Sequence, residues 1–324
     1  MWFVDSFMVW RWRGVFVSAA IVLFVVFLVG ALAEWIPPWF TEQRTTESSD
    51  AQRPPAAENA VPARSVSTYT PNVDAYALYV RGRTMVGSSR AEDQLVASEL
   101  FNRVIESDPH FAGGYAGASQ ADLAHYRQCS DSCEQHLDSA LEMARKAVDV
   151  DPSFGPGHYI LAEALYLRGE FDAALIAIRK AIEVEPNDAL VRAAYGRILG
   201  YSGNAEEGVQ LLEEASNMGS GQAELLYELG SMYRFNGQLD AAIKTLREHR
   251  RRLRGRTSPP ATAQLAAAYM QGGRIMEARA TIQALRRIVP QYSIQQVLRS
   301  HHFASAQATE IYRKALRDSG LRDN

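Results

Sequence analysis

Cysteine is nearly absent from this chain: Cys129 and Cys133 are the only two in 324 residues. Their C-x-x-x-C spacing is not the C-x-x-C of a redox dithiol. The signatures of a reactive pocket are missing as well. There is no G-x-x-x-x-G-K-S/T phosphate loop, no G-x-S-x-G elbow and no H-E-x-x-H helix. Carboxylates are numerous but follow helix faces, where they serve solubility and i,i+4 pairing. Neither catalysis nor a cofactor is expected. A charge excess is lacking too. With 34 basic and 37 acidic residues the net charge is −3, which favours neither nucleic acid nor an anionic membrane surface. Tryptophan is missing from everything after residue 39.

The five tryptophans that exist flank the one long apolar run, GVFVSAAIVLFVVFLVGALA at residues 14–33. Trp2, Trp10 and Trp12 precede it, and Trp35 and Trp39 follow it. Twenty helical residues span about 30 Å, the thickness of a bilayer's hydrocarbon core. Amphipathic rings at both ends are the belt of a spanning helix. Arg11 and Arg13 before the run and Glu34 after it place residues 1–13 in the cytoplasm and the rest across the membrane. A cleaved signal peptide is the competing reading, with Ala31-Leu32-Ala33 as its site. Either way the body of the chain leaves the cytoplasm. Residues 34–72 are rich in Pro, Ser and Thr and read as a flexible linker.

Beyond the linker a period takes over. Gly169, Gly203 and Gly237 stand 34 residues apart, the length of one tetratricopeptide (TPR) helix–turn–helix unit. Residues 158–186, HYILAEALYLRGEFDAALIAIRKAIEVEP, resemble the TPR consensus throughout. Ala162 takes the small position of the first helix, Gly169 the turn, and Phe171, Ala174 and Ala181 the packing positions of the second. The next unit has Tyr195, Gly196, Gly203 and Ala215; the one after has Leu229, Gly230, Gly237 and Ala242. A looser copy carries Ala266, Tyr269, Gly273, Ala278 and Pro290. Upstream, Pro109 and Pro152 lie 43 residues apart, one period plus a nine-residue insertion. The resemblance implies an all-α fold, a right-handed superhelix of about six TPR units over 73–290 with capping helices over 291–324, to which the apolar run adds one N-terminal transmembrane helix.

Both cysteines fall in that insertion. About 6 Å would separate their Cα atoms across one helical turn, within disulfide range, and an oxidising compartment favours the bridge. Free thiols are the alternative. His125 and His136 add zinc-ligand types, but along one helix the four groups spread over roughly 16 Å, so no metal is expected. Arg250, Arg251, Arg252, Arg254 and Arg256 form a basic run. It reads as a solvated helix end, with a docking patch for an acidic partner or lipid headgroups as the alternative. The adjacent His301 and His302 are expected at the surface of the cap.

In TPR arrays the first helix of each unit lines a concave groove. That register places Tyr159, Glu163 and Tyr166, then Arg197 and Tyr201, then Tyr227, Arg234 and Phe235, then Met270 on the groove side. Tyr, Phe and Arg dominate binding hot spots, so a protein or peptide partner is expected there. Interhelix packing is the bland alternative for any one of these side chains.

Three stretches, NVDAYALYVRGR at 72–83, ASELFNRVIESDPHFAGGYAG at 97–117 and ALRDSGL at 315–321, are similar to the repeat region of some bacterial winged-helix regulators and class III adenylate cyclases. Those proteins carry a cytoplasmic effector domain, one membrane span and then such repeats. About a dozen residues precede the span here, too few for either effector. The resemblance implies an inner-membrane, single-pass module with its repeats in the periplasm, acting as a scaffold. A sensor subunit signalling through its membrane helix, or an assembly factor for a pilus, secretion or cytochrome c maturation apparatus, is the alternative.

Overall fold

The computed structural model describes residues 70–323 except 88–89, 130–132 and 220–221. The N-terminal segment 1–13, the expected anchor at 14–33 and most of the linker 34–72 lie outside the described residues. Among the described residues no helix is long and apolar enough to cross a membrane.

Fourteen helices and no strand make up the described chain. The first twelve form six antiparallel pairs: α1 (Val73–Val86) with α2 (Ala91–Ser107), α3 (Ala112–Gln128) with α4 (Cys133–Val150), and α5 (Gly155–Arg168) with α6 (Phe171–Val184). Then come α7 (Ala189–Ser202) with α8 (Ala205–Met218), α9 (Ala223–Phe235) with α10 (Leu239–Arg252), and α11 (Pro259–Gln271) with α12 (Ile275–Ile288). The short α13 (Ile294–Arg299) and α14 (Ala306–Asp318) follow. Each odd-numbered helix packs on its own partner and on the odd helix of the next pair, so α1, α3, α5, α7, α9 and α11 form one inner row.

The period is written into the turns. Gly169, Gly203, Gly237 and Gly273 all take positive φ, between 72° and 133°. Only glycine adopts that conformation without Cβ strain. At each turn the residue after the glycine closes the same bond back onto the helix: Glu170 to the Leu165 carbonyl, Asn204 to Leu199, Gln238 to Tyr233 and Arg274 to Tyr269. This six-to-one closure satisfies a carbonyl that the helix end leaves open. The small residues of the pattern are the points of closest packing: Ala162, Ala174, Ala181, Ala215, Ala242, Ala266 and Ala278 are fully buried.

The second pair absorbs the insertion without a new element. Its helices run 17 and 18 residues, against 14 in each helix of the next two pairs. Cys129 and Cys133 therefore flank the turn between α3 and α4 instead of lying along one helix. They are joined by a disulfide, with 5.7 Å between their Cα atoms.

Candidate functional site

The inner row presents the expected side chains, and the chain itself covers them. Tyr159, Glu163 and Tyr166 come from α5, Arg197 and Tyr201 from α7, Tyr227, Arg234 and Phe235 from α9, and Met270 from α11. Tyr166 is 0 % exposed and Tyr201 1 %, and Glu163, Arg197 and Arg234 are buried as well. Tyr159, Tyr227, Phe235 and Met270 are half-buried. The expectation of an open groove is corrected at four of these positions: Tyr166, Tyr201, Tyr227 and Phe235 meet the segment that links α13 to α14.

That segment, which has no regular secondary structure from His301 to Ser305, crosses the concave face. α13 rests on α3, and α14 packs on α11. Between them, Arg299 donates to the Cys129 carbonyl. The His302 backbone N–H donates to Tyr166 Oη at 3.0 Å, and the Ala304 N–H to the Tyr201 carbonyl at 3.0 Å. Phe303 lies flat on Phe235, with ring centroids 5.1 Å apart and 6° between planes, and meets Tyr201 edge-on at 4.8 Å. Backbone groups bonded to a groove, with side chains seated in its pockets, are how peptides are held. Here the peptide is the chain's own.

His301 is 3 % exposed, which corrects the expectation of a surface pair. Its Nδ1 lies 3.2 Å from the Val297 carbonyl, which can only accept, so Nδ1 carries the proton. Nε2 is then the acceptor of the Tyr227 hydroxyl at 2.8 Å. Burial pushes the imidazole down to about 3, against the raising effect of the Val297 carbonyl, so the ring is neutral. Burial likewise raises Tyr166 to about 12, leaving its hydroxyl protonated.

Beneath the segment runs a ladder of alternating charge. Arg127 from α3 pairs with Glu163 at 3.2 Å. Glu163 also accepts from Arg197, which reaches Glu228 at 3.4 Å. Four successive inner helices thus contribute plus, minus, plus and minus. Burial disfavours the Arg197 charge, but Glu163 and Glu228 outweigh it and hold the guanidinium well above its ordinary value. Its plane also lies 4.5 Å from the Tyr166 ring centroid. Arg234 sits 4.0 Å over Tyr312 of α14, with Nε donating to Gln264 at 2.5 Å and Nη1 to Gln271 at 3.3 Å. Sequence reasoning missed Arg127, Glu228, Gln264, Tyr312 and the 299–304 segment. Arg127, Glu163, Arg197 and Glu228 fall about one period apart, a signal that was present.

The face is not fully satisfied. Tyr201 Oη, Arg234 Nη2, Gln264 Nε2, His302 Nε2 and Tyr312 Oη are buried without a hydrogen-bond partner among the described residues. Each such group costs about 1–3 kcal/mol.

The remaining positions lie elsewhere. Arg250, Arg251 and Arg252 end α10, and Arg254 and Arg256 follow it; all five are exposed. Arg251 and Arg252 both pair with Glu248 of their own helix, a solvated helix end. His125 and His136 stack with centroids 5.4 Å apart, because the turn folds α4 back on α3. Among the described residues no group of three His, Cys, Asp or Glu side chains is placed to hold a metal ion.

Comparison with known proteins places this architecture. Models of the tetratricopeptide repeat match residues 134–198 and 223–248. A curated Rhizobium meliloti protein provisionally named adenylate cyclase 3 is 36% identical over 93 residues, covering 28% of this chain and 16% of that protein. The chain thus matches only a small part of the length of that relative. Among solved structures, a thermophilic TPR protein of Thermus thermophilus shares 25% identity, with 49% of this chain and 81% of that one covered and a TM-score of 0.44. The human IFIT1 dimer with m7Gppp-AAAA gives a TM-score of 0.57 at 16% identity, over 77% of this chain and 60% of that one. The last likeness shows the fold alone. With the 34-residue period and six stacked helical pairs, the family matches establish that this chain carries tetratricopeptide repeats.

Proposed function

We propose that this protein is a membrane-tethered scaffold on the periplasmic side of a bacterial inner membrane, and that its concave face binds an extended segment of a protein partner. The TPR fold supports an interaction scaffold. The tether rests on the apolar run at 14–33 with its tryptophan belt, and the location on the arginines before that run. The Cys129–Cys133 disulfide fits an oxidising compartment. In this reading the chain binds and does not catalyse.

One observation carries the site: a non-helical stretch of the chain, residues 302–304, already lies there, bonded through the His302 and Ala304 backbone N–H groups to Tyr166 and Tyr201. A partner segment with an aromatic at the Phe303 position replaces them, and the four unsatisfied polar atoms that stay behind, Tyr201 Oη, Arg234 Nη2, Gln264 Nε2 and Tyr312 Oη, are what it gains by doing so. The tethered segment competes at an effective concentration of about millimolar, so occupancy by the partner is graded and reversible.

The test is photo-cross-linking in cells from Tyr159 and from Met270 in the full chain, with and without Phe303→Asp. One protein captured from both positions, more strongly in the variant, is the expected result. Capture only from a probe within residues 1–33 contradicts the groove and favours a sensor acting through its membrane helix.

A further inference from the structure

The last repeat has an uncovered side. Every earlier even-numbered helix packs on the odd helix that follows it: α2 on α3, α4 on α5, α6 on α7, α8 on α9, α10 on α11. Among the described residues no helix packs along α12 in that way. α14 covers α11 instead, leaving a groove of about 760 Å³ between α12 and the residues after α14. Its exposed apolar lining includes Met276 and Pro290, with the buried Ile282 at its floor. Met276 is 76 % exposed. A stacked array leaves such a face polar when solvent is its only neighbour.

The groove is also strongly basic. Arg279, Arg286, Arg287 and Arg322 line it, and no carboxylate does. The carboxylates nearby are engaged elsewhere: Glu277 with Arg274, Glu310 with Arg313, Asp318 with Lys314 and Asp323 with Arg317. The four groove arginines have no ion-pair partner among the described residues, in a chain whose net charge is −3.

We infer that this groove is a second docking site, whose occupant is an acidic amphipathic helix of a protein partner. The shape of the occupant follows from the array, since a helix covers the equivalent face of every earlier repeat. α12 offers 14 residues, about 21 Å, so roughly four turns of a partner helix fit along it. Apolar residues at i, i+3, i+4 and i+7 of that helix meet Met276 and Pro290. Glutamates and aspartates flanking the stripe meet the arginines, whose planar forks take carboxylates bidentately. This site is independent of the concave face: it stays open whether or not residues 299–304 are displaced.

The probe is a designed 16-residue peptide with leucines at that spacing and glutamates on both flanks, labelled and titrated against the full chain by fluorescence anisotropy. Saturable binding is expected, at least tenfold weaker for Arg279→Glu with Arg286→Glu and for Met276→Asp. A peptide with glutamine for glutamate is expected to lose the same factor, and Arg250→Glu with Arg254→Glu to change nothing. Circular dichroism of each variant checks that these surface changes leave the fold intact. Absence of saturable binding, or binding that survives reversal of Arg279 and Arg286, overturns the proposal. So does self-association abolished by that reversal, or phosphatidylglycerol vesicles displacing the peptide from those arginines; these assign the groove to a second copy or to lipid.

Discussion

Phe303 lies parallel on Phe235, 68 positions earlier in the sequence, with ring centroids 5.1 Å apart. This stack, with Tyr201 edge-on to it, pins the chain's own segment across the concave face. Replacing Phe303 by Ala is expected to cost about 3 kcal/mol of the docking of residues 299–305 while the repeats stay folded. Hydrogen exchange is the check: the Ala304 amide loses its protection, whereas the amides of α5 and α7 keep theirs.

The two kinds of glycine respond differently. A Cβ added at Gly169 or Gly237 meets nothing within 4 Å, but φ is +81° and +77°. Alanine there costs only backbone strain, about 1 kcal/mol. A Cβ at Gly208 falls 2.7 Å from the Gly196 carbonyl oxygen and from Gly200 Cα. Gly208→Ala forces α7 and α8 apart and is expected to lower the urea midpoint more than either turn variant.

The charge ladder makes removal of one rung severe. Arg197→Met leaves Glu163 buried with Arg127 as its remaining cation, and Glu228 loses its closest one. Breaking a buried pair by removing one partner costs roughly 3 kcal/mol. Chemical denaturation is the readout, and exposed Arg251→Met is the control expected to change stability by a few tenths of a kcal/mol.

Acid should undo the segment first. His301 is held down to about 3 by burial, below the ordinary imidazole value of 6.5. The unfolded or undocked chain therefore takes up the proton first, so stability is complete above pH 6.5 and falls as pH drops toward 3. The ring faces Tyr227, the Val297 carbonyl, the neighbouring His302 and the guanidinium charges of Arg234 and Arg197; the carbonyl favours the imidazolium, but burial and the cationic neighbours outweigh it. At pH 5 the loss from His301 alone is about 2 kcal/mol. Burial lowers His302 as well, in the same direction. His301→Gln should flatten the pH profile of exchange at Ala304 between pH 7 and 5.

The repeats could be read because their determinants are local. Gly169, Gly203 and Gly237 each sit in a turn made by residues within five positions, and the alanines mark contacts within one period. The same register put Tyr159, Arg197, Tyr227 and Met270 on one row of helices. What covers that row could not be read, because His302 meets Tyr166 across 136 residues and no periodicity reports so distant a pairing. The uncharged run Ser300-His301-His302-Phe303-Ala304 was the available hint. Likewise, the insertion near Cys129 looked like a break in the pattern. It is two longer helices, which preserve the turn and move it along the chain.

The central claim is that the concave face is a peptide site filled in cis. The most direct measurement titrates a labelled peptide of residues 299–305, Arg-Ser-His-His-Phe-Ala-Ser, against the full chain and against its Phe303→Asp variant. The account predicts saturable binding to the variant and binding at least tenfold weaker to the unaltered chain, whose groove is occupied. No binding to the variant, or equal binding to both, would contradict it.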